Sequence, residues 1–461
     1  MPVERAREAA ETRELHDVLS SPGYLRLLLL SALVGIPISL AAFGFLAAEH
    51  AAQNGLWEHL PHELGYADPP WWWPLPLLTL AGSIVAAVSS YLPGKGGHLP
   101  VEGLGGRPTA PSALPGVLLA ALASLPLGAV LGPESPLMAL GSGLALVAVR
   151  SARRAAAPRL VAVLAAVGST AAIATVFGNP LVAAVLVIEA AGMGGPRLFA
   201  LILPCLLASG VGGVVFTGFG SWSGLSIGSL SLSTLPPSRS LRVGDVLWGV
   251  PLAAAIACGV VLAMTFARRV ADRAAGRAAW WSVGGGIGVG VLIAAYALCT
   301  DRSPAEAALS GQSTLAVLAA DPNAWPVSAL ALLLVFKGAA WSLSMATLRG
   351  GPVFPVLLLG GAAGVLCASL PGLATLSGLA VGLAAAGSAT LRLPVSATVL
   401  AAMLLGKDAA AELPLLIIAS VVAFVVGELL RGRWMRRPAE PAEPAEPPAT
   451  GSAEPGAPAR E

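Results

Sequence analysis

Long stretches of this chain carry no charge. LLLLSALVGIPISLAAFGFLAA (Leu27 to Ala48) and VPLAAAIACGVVLAMTF (Val250 to Phe266) are two of several, at or near the roughly 20 residues a helix needs to cross a bilayer. In hydrocarbon every backbone amide must be satisfied within the chain, which leaves only helices and closed barrels. A barrel would show short alternating strands, and these runs do not alternate. The expected fold class is therefore an all-α polytopic membrane protein. Charged residues make up 11% of the 461 residues, against roughly 25% in soluble domains. The net charge of +2 is too small and too scattered for a nucleic-acid partner. The four cysteines, Cys205, Cys258, Cys299 and Cys367, lack ligand spacing and read as buried small hydrophobes.

The apolar runs are repeatedly interrupted by the 54 glycines and 38 prolines. Such interruptions predict many short, tilted and broken helices instead of an array of straight spans. Residues 1–22 read as a polar cytoplasmic N-terminal arm with no cleavable signal pattern. Residues 23–225 and 240–432 read as two membrane repeats joined by a linker at 226–239. Residues 433–461, rich in Pro, Ala and Glu, are expected to be a disordered cytoplasmic tail. Arginines flank both ends of the membrane part, so both termini are expected in the cytoplasm of a multi-pass plasma-membrane protein.

The two-repeat division rests on an internal match. GPESPLMALGSG (Gly132 to Gly143) lies on GPVFPVLLLGGAAG (Gly351 to Gly364) at a constant offset (351 − 132 = 219). The offset pairs Gly132, Pro133, Pro136, Leu140 and Gly141 with Gly351, Pro352, Pro355, Leu359 and Gly360, and Gly168-Ser169 with Gly387-Ser388. FGNPLVAAVLVIEA (Phe177 to Ala190) resembles LRLPVSATVLAAML (Leu391 to Leu404) at an offset of 214 on the prolines. Repeats of this kind often have inverted topology, with a site at their interface near the midplane.

Pro is favoured in the first turn of a helix, where its missing N–H is not needed. Pro133 with Pro136 and Pro352 with Pro355 therefore mark two helix starts. The free amides of a helix start form an anion site, here expected to work without Lys or Arg. Glu134 sits at one of these starts and is the only charge between Arg107 and Arg150. Ionised, it competes with a bound anion for the same amides; protonated, it loses that attraction. Acids within membrane segments are usually functional, so Glu134 reads as a gate and a proton acceptor.

These residues resemble the CLC family of chloride channels and chloride/proton antiporters. GPESP (Gly132 to Pro136) is similar to the family's glycine–acid–proline motif, whose acid is the gating glutamate; Glu134 takes that place. GGHLPVEGL (Gly96 to Leu104) resembles the first anion-site motif, with Leu99 and Pro100 at the Ile-Pro positions. GGPVFP (Gly350 to Pro355) resembles the third. The resemblance implies a homodimer of subunits built from inverted halves, each with its own pathway. It implies anion contacts at Gly96, Gly97, His98, Leu99 and Pro100, at Gly132, Ser135 and Pro136, and at Gly351, Val353, Phe354 and Pro355. The departures are informative. Gly97 stands where the family has a serine, Val353 where it has a phenylalanine, and the late anion-contacting tyrosine has no counterpart near Trp434. The proton-relay position of the antiporters falls on Ala190, beside Glu189.

The implied function is transport of chloride or a similar small anion. Ala190 favours a passive channel; an antiporter with an unconventional proton path is the alternative. A proton-coupled transporter of an organic solute is the competitor from another class and should offer a roomier, more polar cavity. Glu189, the sole charge between Arg159 and Arg197, is a candidate proton relay or a structural acid. Lys337, the sole charge between Asp321 and Arg349, would raise anion concentration at a vestibule or snorkel to the interface. His98 is a candidate pH sensor. Neither a metal cluster nor a nucleophile–base pair nor a phosphate loop is evident, so no cofactor and no enzymatic activity are expected.

Overall fold

The computed structural model describes residues 19–104, 108–151, 158–191, 196–223, 232, 234–237 and 239–434. Nearly all of the expected arm, the tail beyond Trp434 and most of the 226–239 linker lie outside the described residues.

The first repeat holds α1 (Pro22–Glu63), α2 (Pro74–Tyr91), α3 (Leu114–Ser124), α4 (Glu134–Ser151), α5 (Pro158–Phe177), α6 (Pro180–Ala191) and α7 (Pro196–Ser223). The second holds α8 (Val243–Ala274), α9 (Ala278–Thr300), α10 (Gln312–Ala320), α11 (Val327–Thr347), α12 (Val353–Cys367), α13 (Thr375–Leu391), α14 (Pro394–Leu405) and α15 (Ala409–Trp434). Proline opens α1, α2, α6 and α14, as expected of a residue that needs no first-turn donor. Among the described residues, eight helices are long and apolar enough to cross a membrane. Others are too short: α12 has 15 residues, about 23 Å of rise against a hydrocarbon core of about 30 Å.

The short helices form the interior. Helix α12 packs along α13, α4 along α5, and α2 along α9. A Cβ at Gly141 would meet the Gly168 carbonyl, and one at Gly360 would meet that of Gly382. Backbones thus approach closely at small residues, the way helices associate where lipid removes the hydrophobic drive. Outer faces carry exposed apolar side chains such as Leu29, Leu247 and Leu298. The cysteines depart from expectation: all are free, but only Cys205 is buried, while Cys258 and Cys299 are exposed on α8 and α9. A small thiol costs little on an apolar outer face, so isolation in sequence did not mean burial.

The two repeats meet through their backbones. Gly132 and Gly351 form an antiparallel bridge, with Gly132 N–H on Gly351 O at 2.8 Å and Gly351 N–H on Gly132 O at 2.6 Å. These residues are equivalent under the 219-residue offset. Flanking contacts repeat the pattern: Val130 N–H donates to Ser344 Oγ at 3.3 Å, and Arg349 N–H donates to Ser124 Oγ at 3.2 Å. Val130 and Arg349 are again equivalent. Reciprocal bonds between equivalent residues are what a two-fold axis between the segments produces, and α4 and α12 leave the bridge in opposite senses.

Candidate functional site

The bridge puts two helix starts side by side in the interior. Glu134 is the first residue of α4, and its repeat equivalent, Val353, is the first of α12. The Glu134 side chain is fully buried. Its Oε1 accepts the Val353 N–H at 2.6 Å, so the acid of one half seals the helix start of the other. Oε2 has no partner. A Cβ at Gly132 or at Gly351 would collide with this carboxyl group, which is why both positions must lack one. Ionised, the carboxylate is an anion on a free helix amide, the arrangement that favours negative charge.

The first motif reaches the same place through a loop. Gly94 to Gly97 all have positive φ, with Gly97 at 91°. A Cβ on Gly97 would stand 3.3 Å from Val117, so the serine of the family pattern would be strained here. Gly96, Gly97 and His98 line a cleft with Ser135, Pro136 and Arg349; its volume is about 10 Å³, roughly the room one water needs. The His98 ring lies with Nε2 3.2 Å from Gly103 O. Leu99 faces a neighbouring cavity, and Pro100 is buried at the head of a short turn (Pro100–Glu102). Phe354 lies against Phe177 with ring centroids 5.5 Å apart, and Pro355 is buried in the first turn of α12.

Two larger cavities share residues with the cleft. One, of about 320 Å³, runs past His98, Ser135, Ser142 and Ser169 to Ala190. The other, of about 840 Å³, is bounded by Glu102, Arg268, Arg269, Asp272 and Arg349. Arg349, 7% exposed, lines both the cleft and the second cavity, so a guanidinium stands beside residues expected to hold the anion without Lys or Arg. Sequence reading passed over Arg349 because its equivalent is Val130. The signal was available, since it stands two residues before the repeated Gly351.

Other expected residues lie elsewhere. Lys337 neither snorkels nor faces a vestibule. It is fully buried, and its Nζ donates to the carbonyls of Glu306, Ala307, Ala308 and Leu309 at 2.7–3.3 Å. An ammonium finds in those carbonyls the acceptors that the interface would otherwise supply, so it holds the loop between α9 and α10. Glu189 accepts from Val395 N–H at 3.0 Å and from Ser396 N–H and Oγ–H, both at 2.7 Å. It caps α14, the repeat counterpart of its own helix. Arg392 sits at a left-handed turn between α13 and α14 and pairs with Glu428.

Residues 100–428 match the family described as "Voltage gated chloride channel". The "Putative ion-transport protein YfeO" of Salmonella newport (strain SL254) is 36% identical over 167 residues, 35% of this chain and 39% of that protein. The Salmonella paratyphi A counterpart is also similar. The chain thus matches about two-fifths of the length of these curated relatives. Among solved structures, a CLC-type fluoride/proton antiporter superposes with a TM-score of 0.67 at 20% identity, covering 88% of this chain and 96% of that one. A slow cyanobacterial Cl⁻/H⁺ antiporter gives 0.70 at 19% identity, covering 88% and 95%. At that identity the likeness speaks for the fold, which is the CLC architecture of broken, tilted helices. The family match covers most of the sequence and includes both helix starts at the bridge: the chain belongs to the CLC family of chloride channels and antiporters.

Proposed function

We propose that the protein passes chloride or a similar small monovalent anion across the membrane through a passive pathway gated by Glu134. The supporting observation is the bond from Val353 N–H to Glu134 Oε1. A carboxylate holding that amide blocks it; an arriving anion competes for it, and a proton on Glu134 weakens the acid's hold. The cleft of about 10 Å³ beside this acid suits a dehydrated ion and does not suit an organic solute. Ala190, where a relay acid would stand, carries no proton, which favours a channel.

The 320 Å³ cavity favours a second reading. Its hydroxyls at Ser135, Ser142 and Ser169 lead from Ala190 to the residue after Glu134, room for a water-borne proton path and hence for exchange. Arg268, Arg269, Arg431 and Arg433 crowd the C-terminal ends of α8 and α15, and Arg431 reaches Met264 of α8. That arginine-rich face is the cytoplasmic one by the positive-inside rule, with both termini on it. A second copy of the chain is the proposed partner, as in the family.

Reconstitution tests these readings. Vesicles containing the full chain should release chloride under a chloride gradient, without uphill proton movement. Uphill proton movement would replace the channel with the exchanger; absence of any anion flux would end both.

A further inference from the structure

The bridge region is symmetric in its backbone and asymmetric in its charge. Glu134 follows the bridge in one repeat; Arg349 precedes it in the other, where the first repeat has Val130. The Arg349 side chain is anchored at its far end. Nη1 donates to Leu348 O and Nη2 to Lys95 O, each at 3.2 Å. Nε is buried with no acceptor, and it lies 3.5 Å from the position a Cβ would take on Gly96. Among the described residues Arg349 forms no ion pair. Ser135 is 3% exposed, and its Oγ is likewise buried without a partner. Buried donors are nearly always paired, and leaving one unpaired is costly. Here two unpaired polar groups line one cleft of about 10 Å³.

We propose that Arg349 and Ser135 form a charged anion-holding neck, in which a dehydrated halide accepts the Arg349 Nε–H and the Ser135 Oγ–H. The inference rests on the anion-transport reading; it adds the Arg349 guanidinium and gives Ser135, already expected as an anion contact, a definite donor in its hydroxyl. The cleft shares Arg349 with the 840 Å³ cavity, which Arg268 and Arg269 also line, and His98 and Ser135 with the 320 Å³ cavity. Ions gathered in the first cavity reach Arg349 before they reach Glu134. Gly97 has no hydroxyl and its backbone disfavours one; Ser135, on α4, supplies the hydroxyl from the other wall. A full charge in a low-dielectric cleft attracts an anion far more strongly than it would in water. The neck is therefore expected to be mostly occupied, with ion exit as the slow event.

The test is chloride titration calorimetry on the full-length protein in detergent, paired with chloride efflux from vesicles. R349M should weaken chloride binding by at least about tenfold, as expected for loss of a charged donor, while R349K should restore most of it. S135A breaks no bond seen in the structure, so it should fold; it should weaken binding several-fold, by roughly one neutral hydrogen bond. Wild-type affinity in S135A, or in a monodisperse R349M, would overturn the neck while leaving anion transport standing. A wild-type protein that neither binds nor passes chloride would instead remove the transport reading beneath it. If R349M does not fold, R349K and S135A still decide: an S135A variant with unchanged affinity overturns the proposal.

Discussion

Replacing Glu134 by Ala is the most direct perturbation of the site. It removes the carboxylate that holds Val353 N–H at 2.6 Å. A hydrogen bond to a charged group contributes about 1.5–3 kcal/mol net, so its loss should lower the barrier to anion entry by that amount, roughly ten- to a hundred-fold in rate. The amide left bare is costly when buried, which adds to the same side. Replacing Glu134 by Gln keeps a neutral acceptor worth about 1 kcal/mol, so its flux should fall between wild type and Ala. The assay is chloride efflux from vesicles, followed by electrode, across a pH series. Wild-type flux should rise as pH falls, because a protonated Glu134 holds the amide less firmly. Both variants should lose that dependence. An E134A protein that binds chloride yet passes it no faster than wild type, or an E134Q protein that keeps the wild-type pH response, would refute the gate.

Replacing Lys337 by Met strands four carbonyls from Glu306 to Leu309 and should cost on the order of 3 kcal/mol; a thermal midpoint in detergent equal to wild type would contradict the buried-clamp assignment. Replacing Glu189 by Ala removes acceptors for Val395 and Ser396, so stability should drop by about 2 kcal/mol with the ratio of proton to chloride movement unchanged; a changed ratio would make Glu189 a relay. Gly360→Leu drives a side chain into the Gly382 carbonyl and should abolish the monodisperse peak in size-exclusion chromatography. A small maleimide should label Cys299, at the last turn of α9, in the folded protein and reach Cys205 only on denaturation; equal rates would contradict the packing of α7.

The membrane class and the two helix starts were legible because they rest on local chemistry. Uncharged runs of span length, and prolines at fixed spacing after Gly132 and Gly351, mean the same thing in any surroundings. The bridge itself was not legible, since backbone pairing between residues 219 apart leaves no trace in composition. Lys337 was misread for a related reason: its acceptors are carbonyls about 30 residues upstream, and carbonyls carry no residue signature. Arg349 has Val130 as its repeat equivalent, so nothing the two halves share marks it. The charges that give the site its polarity are what the repeats do not share.

The pairing of Gly132 with Gly351, flanked by the serine contacts to Val130 and Arg349, limits how the molecule can move. Swinging one half against the other would break both amide pairs and both serine contacts together. The proposed gate at Glu134 asks only for excursions of individual side chains about such a stationary frame. Inhibitors that wedge the halves would have no motion to arrest; those that plug the cleft would.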